Sequence, residues 1–334
     1  MDTTTFRILN ALCRSLGSPV SIHELKNRVS KIYGSAYYKN IYDKVQSLKK
    51  DGILTLESIG KSMAISINFA NHRTISLLGE MEKIKLDKFL ENARLKQLFE
   101  EIENQTRGLF LSISTINPLE NLSLNRAEFL ILNFQQIDLY PKIKKIESKA
   151  NVRIDPLILS KQEFLGLLDY QEHNPLKSML KNQTTIIKPD EFWAVIRESH
   201  GIYIEDEIQF PIPEKDMVYN LNRFGYREIG ENIQEGKKIC PELIITGILA
   251  SGTSRKKEAV PILLSKNKIS YPLLIFLAKK YGKLDALLGL LKALSKMKTT
   301  KETEHAVQII ENMGIKEKKA DYKSIKEKMD LYGG

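Results

Sequence analysis

The chain has 334 residues, long enough for two or three domains at roughly 100 to 200 residues each. Its 42% hydrophobic and 28% charged content is that of a folded globular protein. The net charge of +10 is uneven: residues 1–75 carry 11 Lys and Arg against 5 Asp and Glu, residues 76–236 carry 20 against 26, and residues 237–334 carry 20 against 10. Two basic ends flanking an acidic middle suggest segments with different partners. Two cysteines, Cys13 and Cys240, and five scattered histidines exclude a disulfide framework and a Cys- or His-rich metal site. The N-terminus lacks a basic segment leading into an apolar run, and the most apolar stretch, Tyr271 to Leu294, is interrupted by Lys279, Lys280, Lys283 and Asp285. A cytoplasmic protein without a membrane partner is therefore expected.

The first helix is predicted from Phe6, Leu9, Leu12, Cys13 and Leu16, which recur at helical spacing before the stop Gly17-Ser18-Pro19. Ser21-Ile22-His23-Glu24 has the pattern of a capping box, and Leu25, Val29 and Ile32 supply the apolar stripe of a second helix. After Gly34-Ser35 a third helix, Ala36 to Lys50, is expected to bury Tyr38, Ile41, Val45 and Leu48 and to end at Asp51-Gly52. Ile53 to Ser58 and Met63 to Phe69 alternate as strands around Ile59-Gly60-Lys61-Ser62, a hairpin with a basic tip. Gly60-Lys61-Ser62 is no phosphate-binding P-loop. That motif needs Gly where Thr55 stands, and it needs a helix rather than a strand to follow.

Three helices followed by a hairpin resemble the winged helix-turn-helix family, over residues 1–72. In that family the third helix enters the DNA major groove and the wing touches the backbone or minor groove. The resemblance assigns the outer face of the third helix, Tyr37, Lys39, Asn40, Lys44 and Ser47, to DNA, with Lys61 as the wing contact. Lys39 and Lys44 would meet phosphates and Asn40 an adenine edge. The same surface, which also carries Asp43, would serve a winged helix that binds protein.

Residues 73–105 are a helical connector, with apolar residues from Leu77 to Phe99 in a helical period. Such helices after a winged helix suit dimerisation, so a homodimer is the expected assembly. The alternative is packing against the next domain.

From Leu109 the pattern becomes LFLSIST, AEFLILNF, a basic amphipathic helix from Leu139 to Ala150, then RIDPLILS, KQEFLGLL, HNPLKSMLKNQ and TTIIKPDEFW. This succession, within residues 106–210, resembles the minimal nucleotidyltransferases of the DNA polymerase β type. Members of that family hold a triphosphate on Gly-Ser and two Mg²⁺ ions on Asp-x-Asp plus a third acid. Aligned to this pattern, Ser114-Thr115 stands in place of Gly-Ser and Arg126-Ala127-Glu128 in place of Asp-x-Asp, leaving Glu128 and Asp155 as the acids. Arg126 cannot ligate a metal and Ser114 lacks the backbone freedom of Gly. A degenerate, inactive domain without catalytic residue, metal or cofactor is expected, with Ser114, Thr115 and Arg126 as candidate phosphate contacts.

Residues 237–334 read as a basic helical domain. Short apolar helices are expected at Leu243 to Ala250, around Pro261 to Leu264, and over Tyr271 to Leu294 with a break near Gly282. Arg255, Lys256 and Lys257 sit where cations oppose a helix macrodipole, which makes them candidate phosphate contacts. The Lys-rich end from Lys316 reads as a frayed, solvated helix. The fold class expected is α+β multidomain: N-terminal winged helix, central α/β nucleotidyltransferase-like domain, C-terminal helical domain. The function implied is a double-stranded-DNA-binding transcriptional regulator whose central or C-terminal domain meets a protein partner. The alternatives are an active nucleotidyltransferase or toxin–antitoxin component modifying protein or RNA, and an interaction scaffold.

Overall fold

The structure is a computed structural model that describes residues 1–60, 62–116, 126–135, 137–199, 202–204, 206–226 and 235–332. It is mixed α+β and mostly helical, with two small sheets. Among the described residues no helix is long and apolar enough to cross a membrane. Two compact units are seen: residues 1–154, 158–169 and 176–206 form the first, and residues 155–157, 170–175 and 207–334 the second.

In the first unit, α1 (Thr3–Cys13) starts where the Asp2 carboxylate accepts the Thr5 amide, and it buries Phe6, Leu9, Leu12 and Cys13. The chain then turns at Gly17, whose φ of +81° is left-handed; a Cβ there would stand 1.8 Å from the Ile202 carbonyl oxygen. Only glycine allows that approach. A two-residue strand β1 (Val20–Ser21) leads into α2 (Ile22–Tyr33), where the Ser21 hydroxyl accepts the Glu24 amide. The reciprocal half of the expected capping box is replaced, because the Glu24 carboxylate takes Arg28 at 2.5 Å one turn on. The third helix, α3 (Tyr38–Lys50), buries Ile41, Val45 and Leu48. Strands β2 (Leu54–Ile59) and β3 (Ser62–Ile67) pair antiparallel, and β1 joins the far side of β3 with Val20 opposite Ile65.

The connector is a helix pair, α4 (His72–Leu90) and α5 (Ala93–Thr106), broken at Asn92, whose side chain caps α5. Its apolar stripe packs within the chain. Phe89, Leu98 and Ile102 are buried in one cluster with Ile113, Phe129, Ile143 and Ile154 of the next segment, and Leu86, Leu90, Leu95 and Phe99 lie against it. This part of the connector stripe is thus occupied by intrachain packing, the alternative to a dimer contact for these residues.

The second sheet has the order β6-β5-β4-β7. It is built from β4 (Leu111–Thr115), β5 (Arg126–Asn133), β6 (Arg153–Leu159) and β7 (Thr184–Ile187), and β4 runs antiparallel to both β5 and β7. Between strands lie α6 (Tyr140–Ala150), α7 (Lys161–Asp169), α8 (Pro175–Met179) and a 3₁₀ turn at Leu180–Asn182; α9 (Pro189–Glu198) follows β7. Helix α4 approaches α9 at Gly79, where a Cβ would stand 2.0 Å from Asp190 Oδ1. Glu82 of α4 is buried, accepts the Thr185 amide at 2.9 Å and pairs with Lys85 at 3.0 Å. Burial pushes its carboxyl upward against the opposing pull of Lys85 and the Thr185 amide.

The second unit is helical: α10 (Glu214–Arg223), α11 (Pro241–Ser251), α12 (Ser254–Lys257), α13 (Ala259–Lys266), α14 (Tyr271–Lys280), α15 (Leu284–Ser295), α16 (Lys301–Asn312) and α17 (Tyr322–Tyr332). α11, α13 and α14 are buried on most sides, as helices at the centre of a bundle are. Within α11, Glu242 is buried and accepts the Ser270 amide at 2.6 Å; burial raises its carboxyl. The break expected near Gly282 falls between α14 and α15. The Lys-rich terminus is more ordered than a frayed helix: α17 buries Ile325 and Met329, and Tyr332 stacks on Tyr226 at 5.0 Å.

Candidate nucleic-acid interface

Helix α3 presents one face outward because its other face is fixed. With Ile41, Val45 and Leu48 buried, the residues between them point outward: Lys39, Asn40 and Ser47 are exposed, and Tyr37, the residue capping the helix, is 76% exposed. None of these four side chains makes a hydrogen bond or ion pair with a described residue. Two further aromatics join them. Tyr38 is 50% exposed and Tyr42 42%, and their rings stack at 6.2 Å. Tyr38 was expected in the buried stripe, and its period does agree with Ile41 and Val45. It begins the helix, however, in a first turn where no element covers it. The exposed tyrosines offer ring faces, Lys39 a charge and Asn40 a paired donor and acceptor, spread around the helix.

Lys44 departs from expectation. Its ammonium lies 3.1 Å from the Asp2 carboxylate, the same group that caps α1. Partial burial would raise the Asp2 carboxyl. The Thr5 amide and hydroxyl together with Lys44 more than reverse this and hold it well below the usual carboxylate range. Lys44 is thus engaged within the chain and is half-buried. Lys61, the wing contact, lies outside the described residues.

Strand alternation puts Ser114 with Glu128 and Arg126 on one face, and Thr115 with Phe129 on the other. The Ser114 hydroxyl pairs with the Thr185 hydroxyl at 2.9 Å, and Thr115 donates to the Thr184 carbonyl at 3.4 Å. Arg126 Nη2 is 3.4 Å from the buried Glu128 carboxylate. Asp155, fully buried, takes Lys279 at 2.9 Å. Each of the two acids left from the transferase pattern is therefore paired with a cation. Among the described residues no three His, Cys, Asp or Glu side chains gather to hold a metal.

In the second unit one of the expected phosphate contacts also meets protein. Lys256 pairs with Glu214, which supplies the countercharge that a cation near a helix start lacks. Lys257 is exposed, the side chain of Arg255 lies outside the described part, and α12 is only four residues long. Sequence reasoning missed Asp2, Tyr42 and Glu214. Asp2 was legible as a helix cap, since Asp precedes the helix that it starts; the others depend on what lies near them in space. Comparison with protein families, with curated proteins and with solved structures finds no match.

Proposed function

We propose that the N-terminal unit binds double-stranded DNA through the outer face of α3, in the manner of a winged helix, and that the protein is a regulator of transcription. One observation carries this reading: Tyr37, Lys39, Asn40 and Ser47 are exposed and make no hydrogen bond or ion pair with a described residue, on a helix anchored in the core by Ile41, Val45 and Leu48. The excess of 11 Lys and Arg over 5 Asp and Glu in residues 1–75 supports it, because phosphate contacts dominate affinity for duplex DNA. The element order, three helices and then an antiparallel hairpin, supports the winged-helix reading. The order β4-β5-α6-β6 supports a nucleotidyltransferase-like second layer, and the engagement of Ser114 by Thr185, Glu128 by Arg126 and Asp155 by Lys279 favours a non-catalytic role for it.

The test is fluorescence anisotropy of the full chain with random-sequence duplex DNA over a salt series. Binding at low salt is expected. Lys39→Ala should weaken it and reduce the slope of log affinity against log salt by about one unit, the loss of one phosphate contact. Absence of binding at low salt, or an unchanged slope in Lys39→Ala, overturns the assignment. A second reading, a protein partner on α3, is favoured by the stacked Tyr38 and Tyr42, since exposed tyrosines are enriched at protein interfaces. It predicts that Tyr37→Ala and Tyr42→Ala impair function while DNA affinity is unaltered.

A further inference from the structure

We propose that the groove bounded by α1, α2, the α4–α5 junction and the segment entering β7 binds a small phosphorylated ring compound of nucleotide size. The groove belongs wholly to the first unit and encloses about 720 Å³, within the roughly 300 to 1,000 Å³ of small-molecule sites. Its charged lining consists of Arg14, Lys85, Lys88 and Lys181, with no Asp or Glu among the lining side chains. Two of these cations are answered from beneath or outside the lining: Lys85 by Glu82 at 3.0 Å and Lys181 by Asp206 at 2.8 Å. The other two are not. Neither the Arg14 guanidinium nor the Lys88 ammonium makes an ion pair or hydrogen bond with a described residue. Arg14 is nonetheless half-buried, where an unanswered guanidinium lacks a local reason to stay.

An anion would answer both, and a phosphate suits the planar fork of arginine. The remainder of the wall asks for more than an inorganic ion. Phe6 and Tyr33 meet edge to face at 6.2 Å, and the Lys88 ammonium stands 5.6 Å over the Phe6 ring. Asn10, buried at the same wall, donates to the Tyr33 hydroxyl at 2.5 Å. Aromatic surface, amides and cations in one groove match the three parts of a nucleotide: ring face, ring edge and phosphate. This inference is independent of whether α3 binds DNA, and it concerns a different surface from Ser114 and Arg126.

The test is isothermal titration calorimetry of the full chain with AMP, GMP, CMP, UMP and inorganic phosphate. At least one nucleotide should bind, and inorganic phosphate should bind at least tenfold more weakly. Arg14→Glu and Lys88→Glu should each lower nucleotide affinity about tenfold or more, the scale of a charge-assisted contact, whereas Arg14→Lys should retain part of it. Thermal unfolding of Arg14→Glu should match the parent, since the Arg14 side chain makes no hydrogen bond or ion pair with a described residue, and Lys88→Glu should lower the midpoint only slightly, by loss of its contact with the Phe6 ring. No heat with any nucleotide at millimolar concentration overturns the proposal. So does unchanged affinity in both charge reversals, and so does equal affinity for nucleotide and inorganic phosphate.

Discussion

The two basic ends of the chain resemble each other in composition and differ in where their charges go. In the second unit lysines find carboxylates: Lys256 meets Glu214, Lys328 meets Glu258 at 3.5 Å, Lys279 meets Asp155 at 2.9 Å, and Lys292 holds both Glu311 and Glu317 at 2.7 Å. On α3, Lys39 and Asn40 make no hydrogen bond or ion pair with a described residue, whereas Lys44 is engaged by Asp2. A run of cations signals an external partner only after the carboxylates that reach it in space have been subtracted. By that subtraction the 20 Lys and Arg of residues 237–334 lose Lys256, Lys279, Lys292 and Lys328, and the 11 of residues 1–75 lose Arg28 and Lys44.

This contrast can be broken by mutation. The largest effect is expected at a saturated cation. Lys279→Met leaves the fully buried Asp155 without its ammonium, and should cost about 3 to 5 kcal/mol, as when one partner of a buried ion pair is removed. Urea unfolding measures this, and a loss under 1 kcal/mol would show that the pair is dispensable. Lys39→Ala should do the opposite, weakening duplex DNA binding several-fold while the urea midpoint stays within error of the parent. A lowered midpoint would mean that Lys39 has a structural role.

Asp2 links the two behaviours. Asp2→Ala removes the α1 cap and should cost about 1 kcal/mol. It also releases Lys44 onto the α3 face, so DNA affinity should rise modestly even as stability falls. Because the Asp2 carboxyl is depressed below its ordinary value of 3.8, its contribution is present above that value and is lost as pH falls through the lower folded one. The stability difference between parent and Asp2→Ala should therefore shrink on acidification, and a difference that does not change with pH would reject the Asp2–Lys44 and Asp2–Thr5 interactions.

Glu82 should show the reverse sign. Its folded carboxyl is raised above the ordinary 4.5 by burial, so its stabilising contribution is complete below 4.5 and is lost as pH rises through the folded value. Glu82→Gln should flatten the dependence of the urea midpoint on pH in that window. A parallel pH curve would place Glu82 in a more solvated setting than the α4–β7 contact describes.

Much of the fold was legible because its signals are local. The stripes Ile41-Val45-Leu48 and Phe6-Leu9-Leu12, the Ser21 cap, and the break at Gly282 each follow from residues within a few turns of one another. Tyr38 shows where periodicity stops, for it has the phase of a buried residue but begins its helix where no layer covers it. The connector shows a second limit. Its stripe from Leu77 to Phe99 announced burial but could not say against what, and a second copy was as compatible as the sheet that Phe89, Leu98 and Ile102 in fact meet.

Element types, caps and the outward face of α3 were thus determined by the sequence itself, because backbone hydrogen bonding and the 3.6-residue period act between near neighbours. Only the tertiary structure decided which charges remain available. Asp2 reaches Lys44 across 42 positions, and Glu214 reaches Lys256 across the same interval. Asp155 meets Lys279 through a still longer loop of chain. An ion pair is a contact in space, and nothing in the local pattern around a lysine records which distant carboxylate folding will bring beside it.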